Sequence, residues 1–295
     1  MAFFLQLVLN GVMVGMLYAL VAFGFVMIYK SSKVFNFAQG QMAAIGGYVM
    51  WGLLAWTGMP LPLALASGLG ISIGLATIVS RSTIHPLIGQ PILSIIMMTV
   101  ALGALMDGMV MAIWGGVSKS FSPPIFPAEP LQIGGLIVNQ QLVWSFGVAL
   151  LIFGAFTLFF QRTKIGLCMR AVAEGHQAAR STGISVKRIL DWSWVIAFLT
   201  AMVGGFLLGN INGLGFELST IGLKAFPVVL LGGLESIPGC IIGGLIVGIA
   251  ENLGGGYLDT YVGGGMVDVV PFVLIIIILF VKPFGLFGEE RIERI

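Results

Sequence analysis

Three side-chain amides lie close together at the start of an otherwise apolar stretch. Asn36, Gln39 and Gln41 fall within six positions, with Gly40 between the last two. An amide offers donors and an acceptor without carrying a charge. Such groups can replace the water around a zwitterionic solute, whereas a fixed charge inside a membrane costs several kcal/mol of insertion. We therefore predict that residues 36–41 line or support the pathway of a small polar solute.

A second polar stretch is the only long one in the chain. It extends from Arg162 to Asp191 and holds six of the fourteen Lys and Arg residues. Short loops rich in Lys and Arg lie on the cytoplasmic side of a membrane. We therefore assign residues 161–190 to a cytoplasmic loop.

Residues 172–181 of this loop are predicted to form a short helix. Glu174 would lie in its first turn and Arg180 in its last, where the helix dipole favours an anion and a cation respectively. Gly183 is suited to the left-handed residue that ends a helix.

This helix would present a small face at Ala178 and Ala179. A helix so short is not stable alone in water, and small side chains allow close packing against a neighbour. We expect it to fit a groove of another protein. An ordinary amphipathic loop is the alternative.

The elements that carry both polar stretches follow from composition. Of the 295 residues, 58% are hydrophobic and 9% are charged, with a mean hydropathy of +1.06, whereas soluble domains carry about 25% charged residues. These values exclude a soluble enzyme fold and secretion. The net charge of +2 argues against nucleic acid as a partner. The predicted fold is all-α, a polytopic integral membrane helix bundle.

Apolar runs between the charge clusters predict about 8–9 transmembrane segments, each near the 20 residues that a bilayer requires. The candidate segments are 4–29, 34–58, 61–80, 91–114, 141–160, 191–212, 220–234, 237–256 and 268–284. The second opens with amides, and the seventh is short and contains Pro227. Interrupted apolar segments mark the substrate path of many transporters, which predicts broken or re-entrant helices here. Gly and Pro are also common in ordinary membrane helices.

The charge clusters also predict an orientation for a single transmembrane domain spanning 1–295. If all nine segments cross, Lys30, Arg81 and the polar loop lie inside, and so do Arg291 and Arg294 at the C-terminus. The expected location is the bacterial cytoplasmic (inner) membrane, with a cytoplasmic C-terminus.

The opposite side carries a proline-rich segment at 115–140. Proline stiffens the chain and removes backbone donors, so we predict a loop or a short rigid platform. It is either a docking surface for an extracytoplasmic partner or a plain connector. Cys168 and Cys240 have no spacing typical of a disulfide framework or a thiolate metal site, and no metal site is expected.

Three stretches of the chain resemble one protein family. They are AVAEGHQAARSTGI (171–184), VFNFAQGQMAAIGGY (34–48) and GLKAFPVVLLGGLESIPGCIIGGLIVGIAENL (222–253). They are similar to the permease subunits of bacterial ABC importers for branched-chain amino acids, in the family's order and spacing. Members often carry His and then Glu where this chain has Gln39 and Gln41.

The resemblance implies roles for two groups of residues. The short cytoplasmic helix of the family fits the ATPase subunit, and the positions that match it here are Ala173, Glu174, Ala178, Ala179, Arg180, Gly183 and Ile184. The positions placed near the translocation path are Asn36, Gln39, Gly40 and Gln41.

The resemblance also implies partners and a division of labour. A permease subunit of this kind works with a second homologous permease, two ATP-binding subunits and an extracytoplasmic solute-binding protein, surrounded by membrane lipid. The chain has no GxxxxGK[ST] phosphate loop. ATP and Mg are therefore expected in the ATP-binding subunits, with no cofactor in this chain. The expected cargo is a branched-chain amino acid or a related small polar solute.

Two other functional classes were weighed against this one. A self-sufficient secondary transporter or channel driven by protons would place Asp, Glu or His inside the membrane, and we expect His85 and His176 in cytoplasmic loops. Glu251 is the acidic residue most expected to pair with a basic group on another helix. An intramembrane enzyme lacks support, because there is no HExxH motif.

Overall fold

The described chain is almost entirely helical, in agreement with the all-α prediction. The structure, a computed structural model, describes residues 1–288 and, of Ile133, only the backbone. In chain order the helices are α1 (Ala2–Ser32), α2 (Gln39–Trp51), α3 (Leu61–Val79), α4 (Ile92–Trp114), α5 (Gln140–Arg162), α6 (Lys164–Glu174), α7 (His176–Ser181), α8 (Val186–Asn212), α9 (Glu217–Gly232), α10 (Ile237–Val262) and α11 (Met266–Val281). A π-helical turn extends α2 (Gly52–Trp56) and another extends α3 (Ser80–Ile84).

Each of the nine predicted apolar segments contains a helix. Among residues 1–288, six helices are long and apolar enough to cross a membrane, namely α1, α3 with its extension, α4, α5, α8 and α10. The others, α2, α9 and α11, are shorter, and α9 and α11 each contain a proline. Both interrupted segments therefore contain a short helix, of which α2 starts late in its segment and α9 holds an internal proline, while the count of full crossings stays a prediction.

Helices α1 and α8 form the centre of the bundle. In the most apolar stretch of α1, 89% of the residues are buried, and in that of α8, 83% are buried. The corresponding shares are 33% in α3, 28% in α4 and 22% in α5. Helix α1 packs against α5, α8, α9 and α10, and α2 lies between α8 and α9. The outer helices thus leave apolar surface for lipid or for another membrane subunit.

The contact between α1 and α10 depends on glycine. A Cβ atom on Gly15 would lie 2.2 Å from the carbonyl oxygen of Gly244, and one on Gly248 would lie 2.3 Å from that of Gly11. Small residues let membrane helices approach this closely. On α3, by contrast, a Cβ on Gly74 meets no described atom within 4 Å.

Substitution of Gly15 by Val is therefore expected to destabilise the protein by about 1–3 kcal/mol, the cost of overpacking a tight interior. The added atoms would meet backbone, which cannot rotate away. Thermal unfolding in detergent, followed by circular dichroism, measures this effect. Gly74→Val is the matched control and should unfold at the wild-type temperature; equal loss in both variants would contradict the packing described.

One end of the bundle, which we call the basic end, gathers the predicted basic clusters. Lys33 at the end of α1 pairs with Glu235 in the α9–α10 turn (2.7 Å). His85, just after α3, contacts Asp191 near the start of α8 (2.9 Å). The basic end thus holds Lys30, Lys33, Arg81 and the loop 162–191. Arg291 and Arg294, which were predicted to lie on the same side, are outside the described residues.

The opposite end carries residues 115–139, which we call the proline platform. It contains the strands β1 (Pro130–Ile133) and β2 (Leu136–Asn139), which pair antiparallel. The Trp51 indole donates a hydrogen bond to the carbonyl oxygen of Ser120 (3.0 Å), and Ile125 N–H donates to Asn210 Oδ1 (3.1 Å). The platform is thereby fixed to α2 and α8, in agreement with the prediction of a rigid element.

Candidate translocation and coupling sites

The segment that carries the amides is not helical before Gln39. Helix α1 ends at Lys33, whose φ of 57° is left-handed, and α2 begins only at Gln39. Asn36 Oδ1 accepts a hydrogen bond from Ala38 N–H (3.1 Å), and its Nδ2 donates to Gln39 Oε1 (3.2 Å). Asn side chains that bond to nearby backbone compete with helix formation, which explains why the segment predicted at 34–58 starts late.

Gln39 joins three helices in the interior. Its Nε2 donates to the carbonyl oxygens of Val21 on α1 (3.2 Å) and Ala197 on α8 (3.3 Å). Asn36 and Gln39 are 1% and 0% exposed. In this conformation both amides hold α2 in place, so that they are suited to supporting a pathway rather than to touching its contents.

Gly40 lies where α2 crosses α9. A Cβ on Gly40 would lie 2.1 Å from the carbonyl oxygen of Ser219 and 2.8 Å from the Cα of Gly222. Glycine is required at such a close approach. The two interrupted segments that the sequence indicated therefore meet at this point.

The Gln41 side chain is partly exposed, unlike the buried side chains of Asn36 and Gln39. Its Nε2 donates to Asp107 Oδ2 on α4 (3.3 Å), and its Oε1 has no hydrogen-bond partner among the described residues. Asp107 also lines a small cavity of about 30 Å³ together with Tyr48 and Ser219. Asp107 was not predicted as a site residue.

An aromatic cluster lies beside these polar groups. The ring of Phe35 is 5.1 Å from that of Phe226 on α9 and 5.9 Å from that of Phe37, centroid to centroid. Phe37 is 44% exposed. Phe35 and Phe37 directly precede α2, the helix that carries Gln41, and no spacing in the sequence indicated the cluster.

The prediction of one helix over 172–181 is wrong. Gly175 has an extended backbone (φ −179°, ψ 124°) and separates α6 from α7. Among ordinary residues glycine is the least favourable in a helix interior, by about 1 kcal/mol relative to Ala. Glu174 consequently lies at the C-terminal end of α6, where it is exposed, and not in a first turn.

The two alanines that were predicted to form a small face differ in their exposure. Ala178 is exposed, whereas Ala179 is 3% exposed and packs inside its own chain. The left-handed end of the helix is confirmed at Gly183, whose φ is 83°. Ile184 N–H donates to the carbonyl oxygen of Ala179 (3.0 Å).

The remaining predicted coupling residues surround this helix. Arg180 is exposed on α7, while Ile184 is half-buried just after it. Ala173 is half-buried at the end of α6 and, with Glu174, lines a cavity of about 380 Å³ at the basic end. The predicted coupling residues thus lie together at the basic end, with Ala179 facing inward.

Helix α7 is attached to the end of α1. The ring Nε2 of His176 donates to the carbonyl oxygen of Ser31 (2.8 Å), which assigns the proton to that nitrogen. Ser31 is buried in the last turn of α1, shortly before the segment that carries Asn36. Helix α7 is therefore connected to the last turn of α1, five residues before Asn36, which the sequence did not reveal.

Glu251 pairs with a basic group on another helix, as predicted. Lys224 of α9 lies 2.9 Å from Glu251 of α10 and 2.9 Å from Asp268 of α11. The Tyr18 hydroxyl of α1 donates to the same Glu251 oxygen (3.0 Å). This network joins α9 to three other helices. No group of three His, Cys, Asp or Glu residues suited to a metal occurs in the described part of the chain.

Known proteins are similar to this sequence over nearly its whole length. Residues 7–279 match the family described as branched-chain amino acid transport system / permease component. The high-affinity branched-chain amino acid transport system permease protein BraD of Pseudomonas aeruginosa is 31% identical, over 99% of this chain and 98% of that protein. The corresponding permease protein LivH of Escherichia coli is 33% identical, with the same coverage of both chains.

A solved structure is similar in fold. PsaBC from Streptococcus pneumoniae, in complex with Fab, matches with a TM-score of 0.51 and 14% identity, over 96% of this chain and 94% of that chain. At this identity the likeness concerns the fold alone. It supports the arrangement of helices described above.

The bundle of long apolar helices, with the short helices α2 and α9 crossing at Gly40, is that of a multi-pass membrane transport subunit. The chain belongs to the family of permease components of branched-chain amino acid transport systems. It is the transmembrane permease subunit of an ABC importer and not an enzyme, and ATP hydrolysis resides in separate subunits.

Proposed function

We propose that the chain carries a branched-chain amino acid, or a related small polar solute, past the crossing of α2 and α9. The observation that carries this proposal is the Gln41–Asp107 pair between α2 and α4. The aromatic cluster of Phe35, Phe37 and Phe226, at the start of α2, would supply an apolar wall further along the same pathway. A carboxylate and an amide suit an ammonium group and a carboxyl group respectively. Apolar rings suit an aliphatic side chain, because its burial is worth about 25 cal/mol per Å².

A second homologous permease completes this pathway. Phe37 on one side of the site and Leu223 on α9 are 44% and 62% exposed, so that one chain supplies only one wall. A facing permease would cover these apolar side chains and enclose the solute. The proposed assembly contains two permeases and two ATP-binding subunits, which hold ATP and Mg.

The coupling segment transmits the motion of the ATP-binding subunits. In this proposal α7 fits their groove through its exposed side, which includes Ala178 and Arg180, with Ala173, Glu174, Gly183 and Ile184 beside it. The His176–Ser31 hydrogen bond then links α7 to the end of α1. A shift of α7 would thereby reach the segment that holds Asn36 and Gln39.

The basic end faces the cytoplasm in this arrangement. Its Lys and Arg residues follow the positive-inside rule, and the C-terminus lies on the same side of the bacterial cytoplasmic membrane. The proline platform then faces outward, where it contacts the solute-binding protein. Its attachment to α2 and α8 supports this role, since a rigid surface loses little entropy on binding.

Cysteines at Ser122 and Ala128, both exposed on the proline platform, are expected to cross-link to the solute-binding protein. Photoreactive cross-linkers on these cysteines, in assembled complexes carrying Cys168→Ser, measure the contact by gel shift. A cysteine at Lys164, exposed on the basic end, should cross-link to an ATP-binding subunit or to nothing. Capture of the binding protein from Lys164→Cys, with none from the platform, would reverse the proposed orientation.

A further inference from the structure

Helices α2 and α4 run side by side in the same direction. Just before α2, Phe37 N–H donates a hydrogen bond to Thr99 Oγ1 in the first half of α4 (3.3 Å). Near the other ends of the two helices, the ring centroids of Tyr48 and Trp114 lie 5.6 Å apart. Trp114 is the last residue of α4, so this aromatic contact lies next to the proline platform. The two helices therefore stay in contact from the amide segment to the platform.

A narrow space opens between these helices beyond the Gln41–Asp107 pair. A Cβ on Gly103 of α4 would lie 3.3 Å from Gln41 Oε1 and 3.7 Å from the Cα of Ala38, so that the helices come close at this glycine. One turn further along α4, Asp107 accepts the hydrogen bond from Gln41 (3.3 Å). The cavity of about 30 Å³ that Asp107 lines follows directly. We call it the α2–α4 crevice.

The two main walls of the α2–α4 crevice are largely apolar. Ala44 and Tyr48, four positions apart on one face of α2, form the first wall. Val110 and Met111, one turn after Asp107 on α4, form the second. Ala44 and Val110 are 3% and 9% exposed, whereas Met111 is 55% exposed. The crevice thus places apolar side chains beside a carboxylate.

The crevice is too small for an aliphatic side chain in this conformation. One water molecule requires about 10–15 Å³ of such space, and an isobutyl group is several times larger than water. Val110 cannot yield easily, because a β-branched side chain is stiff in a helix, and Ala44 has no side-chain rotamers. Met111 is flexible and exposed, so that its side chain can swing outward. The width that remains is then set by Ala44 and Val110.

We propose that the α2–α4 crevice receives the aliphatic side chain of the cargo, and that Ala44 and Val110 set the largest side chain that passes. This inference rests on the transport function proposed above, in which Asp107 meets the ammonium group. Val110 is one turn, about 5 Å, along α4 from Asp107, which is within reach of a branched side chain on the carbon that bears the ammonium group. A polar side chain would lose its hydrogen bonds to water between these walls.

The ratio of leucine uptake to valine uptake tests this role, since leucine is the longer by one methylene. Proteoliposomes with the assembled transporter receive binding protein saturated with either amino acid. Ala44→Val narrows the crevice and should lower the ratio at least about tenfold, because one methylene changes discrimination by an apolar pocket about 10–200-fold. Val110→Ala widens the crevice and should raise the ratio. A folding defect would lower both uptakes and leave their ratio unchanged.

Two exposed positions of α4 supply matched controls. Ala104→Val and Val100→Ala make the same exchanges on exposed surface and should keep the wild-type ratio. A leucine analogue with a photoreactive diazirine in its side chain gives a second measurement. Irradiation during turnover should label Ala44, Val110 or Met111, as mapped by mass spectrometry of peptides.

The outcomes separate this inference from the transport function itself. An unchanged ratio in both Ala44→Val and Val110→Ala, or labelling confined to helices other than α2 and α4, would overturn the role of the crevice while leaving transport by this chain in place. Equal shifts of the ratio in the variants and in their matched controls would overturn it as well. Absence of leucine uptake by the wild-type assembly would overturn the transport function, and this inference with it.

Discussion

Substitution of Ala178 by Trp is expected to abolish most ATP-driven uptake while leaving the permease folded. Ala178 is exposed on α7, so that the indole clashes only with whatever α7 contacts in the assembly. Overpacking costs about 1–3 kcal/mol in a tight interface, which weakens retention of the ATP-binding subunits roughly 5- to 150-fold. Pull-down of these subunits and uptake by reconstituted complexes measure the two effects.

The same substitution at the neighbouring Ala179 should have a different effect. Ala179 is buried in its own chain, so Ala179→Trp should lower the unfolding temperature of the isolated permease, whereas Ala178→Trp should not. Lys187→Trp places the same side chain on the basic end away from α7 and should leave uptake unchanged. Wild-type pull-down and uptake in Ala178→Trp would remove α7 from the coupling role.

Asp107→Asn is expected to lower uptake at least about tenfold without a change in stability. The substitution keeps the size of the side chain and its ability to bond Gln41 (3.3 Å), but it removes the charge that would meet an ammonium group. Hydrogen bonds to charged groups contribute about 1.5–3 kcal/mol, which corresponds to roughly tenfold or more. Radiolabelled leucine uptake and the unfolding temperature are measured together.

Substitutions of Gln41 and Gln39 should have different effects, one on uptake and the other on stability. Gln41→Leu should impair uptake in a folded protein, because Gln41 is partly exposed. Gln39→Leu should lower stability by about 1–3 kcal/mol, because it removes the buried hydrogen bonds of Gln39 to Asn36, Val21 and Ala197. Gln161→Leu, an exposed amide of α5, is the control. Full uptake in Asp107→Asn and Gln41→Leu would place the pathway elsewhere.

The helices were predictable from the sequence because clusters of charged residues separate apolar runs, and each run is about as long as the 20 residues that cross a bilayer. Their ends were less so. The start of α2 at Gln39 depends on how Asn36 bonds to its neighbours, and the break at Gly175 depends on a backbone conformation that composition does not specify. The crossing at Gly40 joins two segments that the sequence indicated separately.

The candidate site was predictable only in part. Amides in an apolar stretch indicated Gln41, but its partner Asp107 lies on another helix. The phenylalanine cluster combines two residues that precede α2 with one residue of α9, without a common spacing. The inward side of Ala179 and the His176–Ser31 bond also arise from tertiary packing. A single sequence contains no signal for such contacts.

We expect ATP hydrolysis in partner subunits to drive transport through this chain. This expectation is tested most directly in proteoliposomes that contain the chain, the second permease and the ATP-binding subunits, with binding protein and labelled leucine outside. We expect accumulation with ATP and Mg²⁺ inside, none with ADP, and no effect of ionophores that abolish ion gradients. Accumulation by this chain without ATP-binding subunits, driven by a proton gradient, would contradict the account and indicate a secondary transporter.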